Sequence, residues 1–573
     1  MRQPLPHNIR RLPFPMPSKS KRAASKQPDL IVRQNWISAN WHWIVLGVIL
    51  LATAAVRIRL LSAPLERDEG EFAYMGQLML HGIAPYKIAY NMKFPGIYAA
   101  YALVMAVFGQ TIIGIHLGLL LVNATSIVLT FLLGRRLMDR LAGVVAAGVF
   151  ALISLSPGAQ GTSAHATQFV APFVLGGALL LLRARPSASF SSGLLFGIAI
   201  LIKQHAAPFA VFAFLYMAWN CFIARPTDRR GMAKNLRLLS LGVMIPFGVT
   251  CAALYVAGVF GNFWFWTFKY ARQYVSEQTL ADGLRHLKRS MGFLTTLDLW
   301  IWLVAAVGAV VVWFDEESRK HRAFLVGFTV FAFAAVCPGL FFRFHYFIVF
   351  LPAVGLMAGL AVSWATRIIS AKTRLMPVRA IPSVLFLLAF LGAISNLWGF
   401  FVTQTTIENC RKMYSVNPFP EAIEIAKYLK SHTNENDVVA VLGSEPEIFF
   451  YSQRRSATGF IYMYGLMERQ PYASVMQRQM IREIEKARPK YVVYIGTSLS
   501  WLPQPNCDQT VLKWLQKYVL SNYTPVGLVD IPSTTITNYY WGREAAIYAP
   551  ESQDYVYVFK RNRDEQAVVG SQK

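Results

Sequence analysis

Charge is what this chain has least of. Only 15% of its 573 residues are charged, whereas 55% are hydrophobic and 14% are aromatic. A soluble domain usually carries about 25% charged residues, so the composition excludes an ordinary soluble enzyme. Many of the apolar runs reach the roughly 20 residues that a helix needs to cross a bilayer. The sequence therefore predicts a polytopic α-helical membrane protein.

Acids are the scarcest charged residues, with 30 Asp and Glu against 56 Lys and Arg, and the net charge is +26. Such a balance can indicate nucleic-acid binding. Here the basic residues lie in short loops that separate apolar runs, which is typical of the cytoplasmic loops of a membrane protein. We therefore expect no nucleic-acid partner.

Cysteine is also rare, and the five cysteines form no spaced pairs that would bind a metal. Cys410 and Cys507 lie in the polar C-terminal part, where they either stay free or form one disulfide if that part is outside the cytoplasm. The sequence has no phosphate-binding glycine loop, no Ser-His-Asp spacing and no internal repeat. It offers no motif for a nucleotide or a nucleophilic triad.

The basic loops and apolar runs predict the topology. Residues 1–40 are polar, basic and proline-bearing, which predicts a disordered cytoplasmic tail. A membrane part at 41–401 follows, with a first outer loop at 63–110 and about eleven spans. The expected spans are 41–61, 111–134, 142–155, 168–182, 190–203, 206–223, 238–259, 295–313, 323–342, 344–365 and 381–401.

Residues 96–108 are apolar but short, and we predict a juxtamembrane or re-entrant helix there. If they crossed the membrane, the basic loop at 134–140 would lie outside, against the positive-inside rule. Eleven spans from a cytoplasmic start place the C-terminus outside.

Residues 402–573 are richer in charge, and their apolar runs are shorter. Helical patterns at 421–432 and 472–489 alternate with strand patterns at 437–443 and 490–496, and 554–560 reads as a last strand. Alternating helices and strands predict a small extracytoplasmic α/β domain.

The first outer loop concentrates acids that are rare elsewhere: Asp68, Glu69 and Glu71. Apolar residues at helical spacing follow them, and Gly82 can end the helix. Ionised carboxylates at a membrane face can act as a general base or hold a divalent cation. Alternatively, Asp68 caps the helix and Glu71 completes a capping box.

Four cations, Arg57, Arg59, Lys203 and Arg343, are placed near the outer face by this topology. They either bind a phosphate at headgroup depth or extend to the interface as long cationic side chains routinely do. His345, among aromatic residues, either contacts substrate or metal or is structural. His165 and Gln168 are polar candidates in the loop before the fourth span.

These stretches resemble a known family. DEGEFAY at 68–74, PY at 85–86, NMKFPGIY at 91–98 and FG at 108–109 resemble membrane glycosyltransferases of the GT-C fold. Within that fold they are similar to the dolichyl-phosphate-mannose protein mannosyltransferase and aminoarabinose transferase-like group. Lys203-Gln204 and the 343–347 stretch are similar to bacterial members. The resemblance covers roughly the membrane part.

The resemblance implies transfer of a hexosyl or pentosyl unit from a polyprenyl-phosphate carrier to a hydroxyl of a cell-envelope glycolipid, glycan or protein. The reaction would be inverting and would occur on the outer face of the plasma (inner) membrane. Asp68 would be the general base, with Glu69 and Glu71 orienting acceptor or metal. Arg57, Lys203 and Arg343 would bind the donor phosphate. The further cavity candidates are Tyr74, Lys93, His165, Gln168, His345 and Tyr346.

One position departs from the family pattern, because Gln168 stands about where many relatives carry an acid. A neutral amide binds a divalent cation less strongly than a carboxylate. A divalent cation, Mg²⁺ or Mn²⁺, is therefore only a possible cofactor.

Two other classes remain open. A transporter or flippase of lipid-linked sugars would also use intramembrane cations, although repeated halves and matching broken spans are not visible. A non-catalytic membrane protein could bind a glycolipid through the outer domain. A polysaccharide ligase with the same carrier would be a neighbouring enzyme class.

Overall fold

The structure, a computed structural model, describes residues 29–183, 185–224, 229–296 and 298–562. Residues 1–28 of the predicted tail lie outside the described residues. The rest of that stretch differs from the expectation, because the first helix begins at Asp29. The chain divides into two compact units between Ile44 and Val45. Apart from the first helix, which extends over the division, the elements described below belong to the second unit.

The membrane part is built of helices throughout. Their bounds are α1 Asp29–Arg59, α2 Arg67–Leu80, α3 Gly96–Phe108, α4 Ile112–Leu137, α5 Arg140–Ile153, α6 Ala166–Leu181, α7 Pro186–Ile202, α8 Ala207–Trp219, α9 Arg229–Val256, α10 Phe260–Trp264, α11 Ala271–Val275, α12 Leu280–Thr296, α13 Leu299–Val311, α14 Arg322–Ala334, α15 Leu351–Lys372 and α16 Met376–Trp398. Short 3₁₀ turns at Gln204–Ala206 and Phe344–Val349 and a π-helix at Phe265–Tyr270 lie between them.

Within the described ranges, six helices are long and apolar enough to cross a membrane: Ala39–Arg59, Ile112–Leu137, Gln204–Ile223, Arg229–Val256, Leu351–Lys372 and Met376–Thr403. A bent pair, α12 with α13, would make a seventh. The apolar helices α3, α5, α6 and α7 are shorter. The multi-pass helical architecture is thus confirmed, and the count of eleven spans stays a prediction.

Small residues let the helices approach closely. A Cβ at Gly193 of α7 would lie 2.1 Å from the carbonyl oxygen of Leu239, and one at Gly359 of α15 would lie 2.4 Å from that of Ala142. Backbones in contact through glycine are typical of helix packing in membranes, where dispersion replaces the hydrophobic effect. A larger residue at either glycine would separate the helix pair.

The C-terminal part contains the predicted α/β elements. Its helices are α17 Thr406–Tyr414, α18 Phe419–His432, α19 Glu447–Ser452, α20 Tyr464–Met467, α21 Ala473–Ala487, α22 Ser498–Trp501, α23 Thr510–Asn522 and α24 Arg543–Ile547. Its strands are β1 Val438–Leu442, β2 Arg455–Ser456, β3 Tyr491–Ile495, β4 Tyr523–Asp530, β5 Asn538–Trp541 and β6 Tyr555–Arg561. The predicted helices at 421–432 and 472–489 and all three predicted strands are confirmed.

These strands form one six-stranded mixed sheet in the order β2-β1-β3-β6-β4-β5. β1 runs parallel to β2 and β3, and β6 runs antiparallel to β3 and β4. The sequence of β1, VVAVL, is apolar throughout because four of its five residues are buried. Among the described residues all five cysteines are free, so Cys410 and Cys507 form no disulfide.

The outer domain packs directly on α2. Arg67 Nε donates to the carbonyl oxygen of Ser444 at 2.6 Å, and Arg67 NH2 lies 2.7 Å from Glu445 Oε1. A Cβ at Gly70 would lie 2.6 Å from the backbone nitrogen of Glu447. The acidic loop is therefore held between the membrane helices and the outer domain.

Candidate functional site

Helix α2 carries the site, and its first residues set the direction of the acids. Glu66 is the N-cap, its side chain accepts from Glu69 N at 3.0 Å, and Glu69 Oε2 accepts from Glu66 N at 3.1 Å. The predicted capping box of Asp68 with Glu71 is therefore wrong by two residues. Asp68 lies in the first turn, where its carboxylate is free of capping. The predicted end is confirmed, since Gly82 has φ +74° and donates to Met79 O at 2.9 Å.

A cavity of about 950 Å³ opens beside Asp68. Membrane helices line one side of it and the outer domain lines the other. Its charged and imidazole side chains are Glu66, Arg67, Asp68, Lys93, His165, Lys203, His205, Arg272, His286, Arg289, Arg343, His345 and Glu468. Cations outnumber carboxylates in this lining, so the cavity suits an anionic ligand.

Lys93 lies between two carboxylates at the wall of the cavity. Its Nζ is 2.7 Å from Asp68 Oδ1 and 2.6 Å from Glu71 Oε2. Tyr98 OH donates to the other oxygen of Glu71 at 2.8 Å, and Glu71 is fully buried. Burial raises the pKa of Asp68, but Lys93 outweighs it, and the carboxyl titrates well below its usual range. Asp68 is therefore ionised at any physiological pH.

Two buried histidines lie on the other side of Asp68. His345 Nε2 is 3.9 Å from Asp68 Oδ2, and the rings of His165 and His345 stack with centroids 4.0 Å apart. His165 Nδ1 lies 3.4 Å from Glu66 Oε1. Burial lowers the pKa of His165 to about 4 despite the nearby carboxylate of Asp68. Burial, with the charge of Lys203, also lowers the pKa of His345 well below its usual value, so both rings are neutral.

Asp68, His165 and His345 could hold a metal ion, since one ligand atom from each lies within 4.8 Å of the others. One carboxylate and two neutral imidazoles suit Mn²⁺ or Zn²⁺, whereas Mg²⁺ prefers oxygen ligands. The ammonium of Lys93 already holds one oxygen of Asp68, which leaves Oδ2 for an ion. The donor set thus fits a transition metal in one carboxylate oxygen and two ring nitrogens.

Lys203 and Arg343 both line the cavity, as the sequence predicted for phosphate-binding residues. Lys203 Nζ lies 4.2 Å from the centre of the Tyr346 ring, which also lines the cavity. Burial lowers the pKa of Lys203 to about 7, although the carboxylate of Asp68 opposes this. Among the described residues neither side chain has a carboxylate within 4.0 Å, so neither is neutralised by an ion pair.

Two predicted site residues lie away from the cavity and share one partner. The guanidinium of Arg57 donates to Asn123 Oδ1 at 3.1 Å and to Gly161 O at 3.2 Å. Gln168 Nε2 donates to the same carbonyl at 3.0 Å. Both side chains are buried and hold the turn that precedes His165. The expected convergence of Arg57 with the two other cations does not occur, and Gln168 does not take the place of an acid at the cavity.

Glu69 and Tyr74 were also predicted at the cavity, and the structure places both behind it. Glu69 is fully buried and accepts from Ala164 N at 2.6 Å, with His116 Nε2 at 3.2 Å. Tyr74 OH accepts from Ser456 N at 2.9 Å and so joins α2 to the outer domain. Both residues shape the site without lining it.

Several lining residues were missed by the sequence reasoning. Tyr462 OH donates to Asp68 Oδ1 at 3.2 Å across 394 residues of chain. Glu468 accepts from Tyr270 OH at 2.7 Å across 198 residues. No local pattern could have indicated either contact. Glu66 was also missed, because the capping-box pattern begins with Ser, Thr, Asp or Asn and a glutamate at the cap position gives no such signal.

Residues 93–249 match the sequence model of the family described as dolichyl-phosphate-mannose-protein mannosyltransferase. No protein in the curated collection matches the chain. Among solved structures, ArnT from Cupriavidus metallidurans bound to undecaprenyl phosphate has a TM-score of 0.54 at 14% identity, over 91% of this chain and 98% of that one.

The oligosaccharyltransferase AglB from Archaeoglobus fulgidus, in complex with an inhibitory peptide and a dolichol-phosphate, has a TM-score of 0.53 at 13% identity, over 90% of this chain and 76% of that one. An oligosaccharyltransferase from the same organism, tethered with an acceptor peptide, has a TM-score of 0.53 at 12% identity, over 89% of this chain and 75% of that one. The similarity extends over the membrane helices and the outer domain together. The chain therefore has the GT-C fold of membrane glycosyltransferases.

Proposed function

We propose that this protein transfers a hexosyl or pentosyl unit from a polyprenyl-phosphate donor to a hydroxyl of a cell-envelope acceptor, with inversion. The observation that carries the proposal is one cavity lined by an ionised carboxylate, Asp68, and by two basic side chains, Lys203 and Arg343, that have no carboxylate within 4.0 Å among the described residues. General-base transfer from a phosphate leaving group needs these two elements in one enclosure.

The donor half of the proposal rests on the charges. A polyprenyl-phosphate sugar is an anion at headgroup depth with an apolar tail, and Lys203 and Arg343 would hold its phosphate. Arg343 can do so bidentately, and Lys203 acts as a point charge. Two of the structural relatives support this class of ligand, since one holds undecaprenyl phosphate and the other a dolichol-phosphate.

The reaction would be a single displacement at the anomeric carbon. The acceptor oxygen attacks, its proton passes to the carboxylate of Asp68, and the sugar–phosphate bond breaks. The phosphate diester leaves as a monoester and gains negative charge, which the two cations stabilise more in the transition state than in the ground state. One displacement without a covalent intermediate gives inversion.

Asp68 is a weak base because Lys93 depresses its pKa. The benefit is that the carboxylate never needs to lose a proton before the reaction. The proton is then transferred late in the displacement, after the attacking oxygen has become acidic by bonding to the anomeric carbon. Lys93 and the buried Glu71 fix the direction of the carboxylate, which is the pre-organisation that general-base catalysis requires.

We further propose that Asp68, His165 and His345 hold a divalent transition metal, Mn²⁺ rather than Mg²⁺. When bound, such an ion would supply a Lewis acid beside the donor phosphate. His345 Nδ1 lies 3.2 Å from Gln160 Oε1, and this contact would leave Nε2, on the side of Asp68, to bind the ion.

The proposed setting is the plasma (inner) membrane, with the N-terminus in the cytoplasm and the outer domain on the other side. The six long apolar helices and the basic loops support it. The acceptor would reach Asp68 from the outer domain, whose residues form one wall of the cavity.

A transfer assay tests the proposal. Purified protein in membranes receives labelled polyprenyl-phosphate sugars with extracted envelope lipids, glycans and proteins as acceptors. Wild type should transfer label, and Asp68→Asn should lose at least about 100-fold in rate, as general-base removal typically does. Asp437→Asn, an acid of the outer domain far along the chain, is the matched control and should stay active.

Equal rates for wild type and a folded Asp68→Asn protein would remove Asp68 from the role of base. If wild type translocates labelled lipid across the bilayer without transferring sugar to any acceptor, the flippase alternative replaces the proposal.

A further inference from the structure

Helix α12, at Leu280–Thr296, carries apolar and basic residues side by side on its exposed surface. Leu280 and Leu284, one turn apart, are 71% and 59% exposed. Arg285 and Lys288 are exposed on the adjoining face. A helix of this composition that exposes leucines needs an apolar partner, and the cations beside them select for negative charge.

The direction of α12 places it along a membrane surface. The chain turns by 112° between α12 and the strongly apolar α13. The 13 residues of α13 are fewer than a full span needs, and if α13 enters the bilayer along the membrane normal, α12 lies close to the membrane plane instead of forming a seventh span with it. Trp300, at the start of α13, is 68% exposed, and tryptophan is enriched at the membrane–water interface. The bend therefore lies at headgroup depth.

The opposite face of α12 is fixed to the protein. Ser290 Oγ donates to Phe342 O at 2.6 Å, and a Cβ at Gly283 would lie 2.8 Å from Leu340. The helix thus packs on the segment that leads into Arg343. His286 and Arg289 also line the cavity, so the exposed surface of α12 borders its mouth.

We propose that α12 is an in-plane docking surface for anionic phospholipids of the bilayer. The leucines would enter the acyl boundary, and Arg285 and Lys288 would bind headgroup phosphates. Asp282 is the one acid of α12, and its pair with Arg285 is exposed, whereas Lys288 has no carboxylate partner among the described residues. The net positive charge therefore remains available to the membrane.

This inference is independent of the proposed reaction, because it concerns a surface outside the catalytic residues. As a consequence, anionic lipids held by α12 would surround the mouth of the cavity, through which a lipid-borne ligand must pass. An anionic lipid on α12 also contacts the helix that supports the Arg343 segment.

Native mass spectrometry of the full-length protein, titrated with phosphatidylglycerol or phosphatidylcholine, tests the proposal. Wild type should bind phosphatidylglycerol more tightly, and added salt should weaken the preference. Each cation near an anionic surface contributes about fivefold in affinity, so Arg285→Gln/Lys288→Gln should lose at least about fivefold. Lys427→Gln/Arg482→Gln, which removes two exposed cations from the outer domain, is the matched control and should keep the preference.

Leu280→Ser/Leu284→Ser should weaken the binding of both lipids. Equal binding of the two lipids by wild type, or an unchanged preference in the α12 double variant, would overturn the proposal. If Lys203→Gln abolishes the preference, the anion site is the cavity and the proposal is also overturned. Should the double variant fail to fold, Lys288→Gln alone and the salt titration of wild type decide the matter.

Discussion

The ammonium of Lys93 lies 2.7 Å from one oxygen of Asp68 and thereby fixes a carboxylate that lines the cavity. The same ammonium is held from behind by Glu71, which is fully buried. The basicity and direction of Asp68 therefore depend on a residue 25 positions further along the chain.

Replacing Lys93 should change the pH dependence of transfer. Lys93 depresses the pKa of Asp68, so the carboxylate is ionised, and competent as a base, above that low value. In Lys93→Met the pKa rises, and the acid limb of the pH–rate profile should move to higher pH. A pH–rate profile of kcat/KM for both proteins checks this, and an unmoved limb would contradict it.

The same substitution should destabilise the protein, because it leaves the buried Glu71 without a counter-charge. Removing one partner of a buried ion pair lowers the free energy of unfolding by about 3–5 kcal/mol. Adding Glu71→Gln removes the uncompensated charge and should recover much of the loss. Thermal unfolding of wild type, Lys93→Met and Lys93→Met/Glu71→Gln in one detergent measures the difference.

Mutations of the helix cap, Glu66, and of the proposed base, Asp68, should have different effects on stability and on transfer. Glu66→Ala removes the N-cap contact of α2 and should lower the free energy of unfolding by about 1 kcal/mol. Asp68→Asn leaves that cap intact and should change stability less, while abolishing transfer. Comparable destabilisation by Asp68→Asn in thermal unfolding would mean that its carboxylate is structural.

Donor binding should depend on Arg343 and not on Arg57. Loss of a hydrogen bond to a charged group costs about 1.5–3 kcal/mol, so Arg343→Gln should weaken undecaprenyl-phosphate binding by roughly 10- to 100-fold. Arg57→Gln removes an equal charge from outside the cavity. The folded fraction of Arg57→Gln should bind undecaprenyl phosphate as tightly as wild type in the same titration. A loss of affinity equal to that of Arg343→Gln would place Arg57 at the ligand.

Donor binding should weaken as the pH rises through the pKa of Lys203, which burial lowers to about 7. Below that pH the ammonium is charged and attracts phosphate, and above it the amine is neutral. Lys203→Arg keeps its charge at every accessible pH, so its affinity for the polyprenyl-phosphate sugar, a diester whose charge is also constant, should be flat between about pH 6 and 9. Isothermal titration at several pH values separates the two cases.

Metal binding is open to direct measurement. Mn²⁺ should bind wild type and be detected by electron paramagnetic resonance, whereas Mg²⁺ should compete poorly with the imidazole ligands. His345→Ala removes one of the three donors and should weaken Mn²⁺ binding by at least about 10-fold. His205→Ala, a cavity histidine outside the donor set, serves as the control. Equal Mn²⁺ affinity in both variants would reject the site.

Local patterns in the sequence predicted local structure well. The helical spacing of apolar residues after Asp68 located α2, and Gly82 marked its end because the chain needs a positive φ there. The same holds for β1 and β3, whose apolar runs are bounded by polar turns. In these elements the deciding interactions lie within a few residues.

The direction of a side chain in a packed helix was not predictable in this way. Glu69 and Asp68 are neighbours in sequence, yet one is buried behind the helix and the other faces the cavity. The topology placed Arg57 near the outer face, but only the packing of α1 on α4 determines that it contacts Asn123. The meeting of His165 with His345 depends on tertiary contacts that leave no trace in spacing.

The contact between α2 and the outer domain has a consequence for protein engineering. Arg67 reaches Ser444 and Glu445, and Gly70 leaves no room beside Glu447. A chimera joined near residue 402 would replace the wall of the cavity that the outer domain forms and keep the wall that the membrane helices form. The two walls would then no longer fit each other. A chimera designed to change acceptor preference would therefore have to replace α2 together with the outer domain, two segments that are far apart in the sequence.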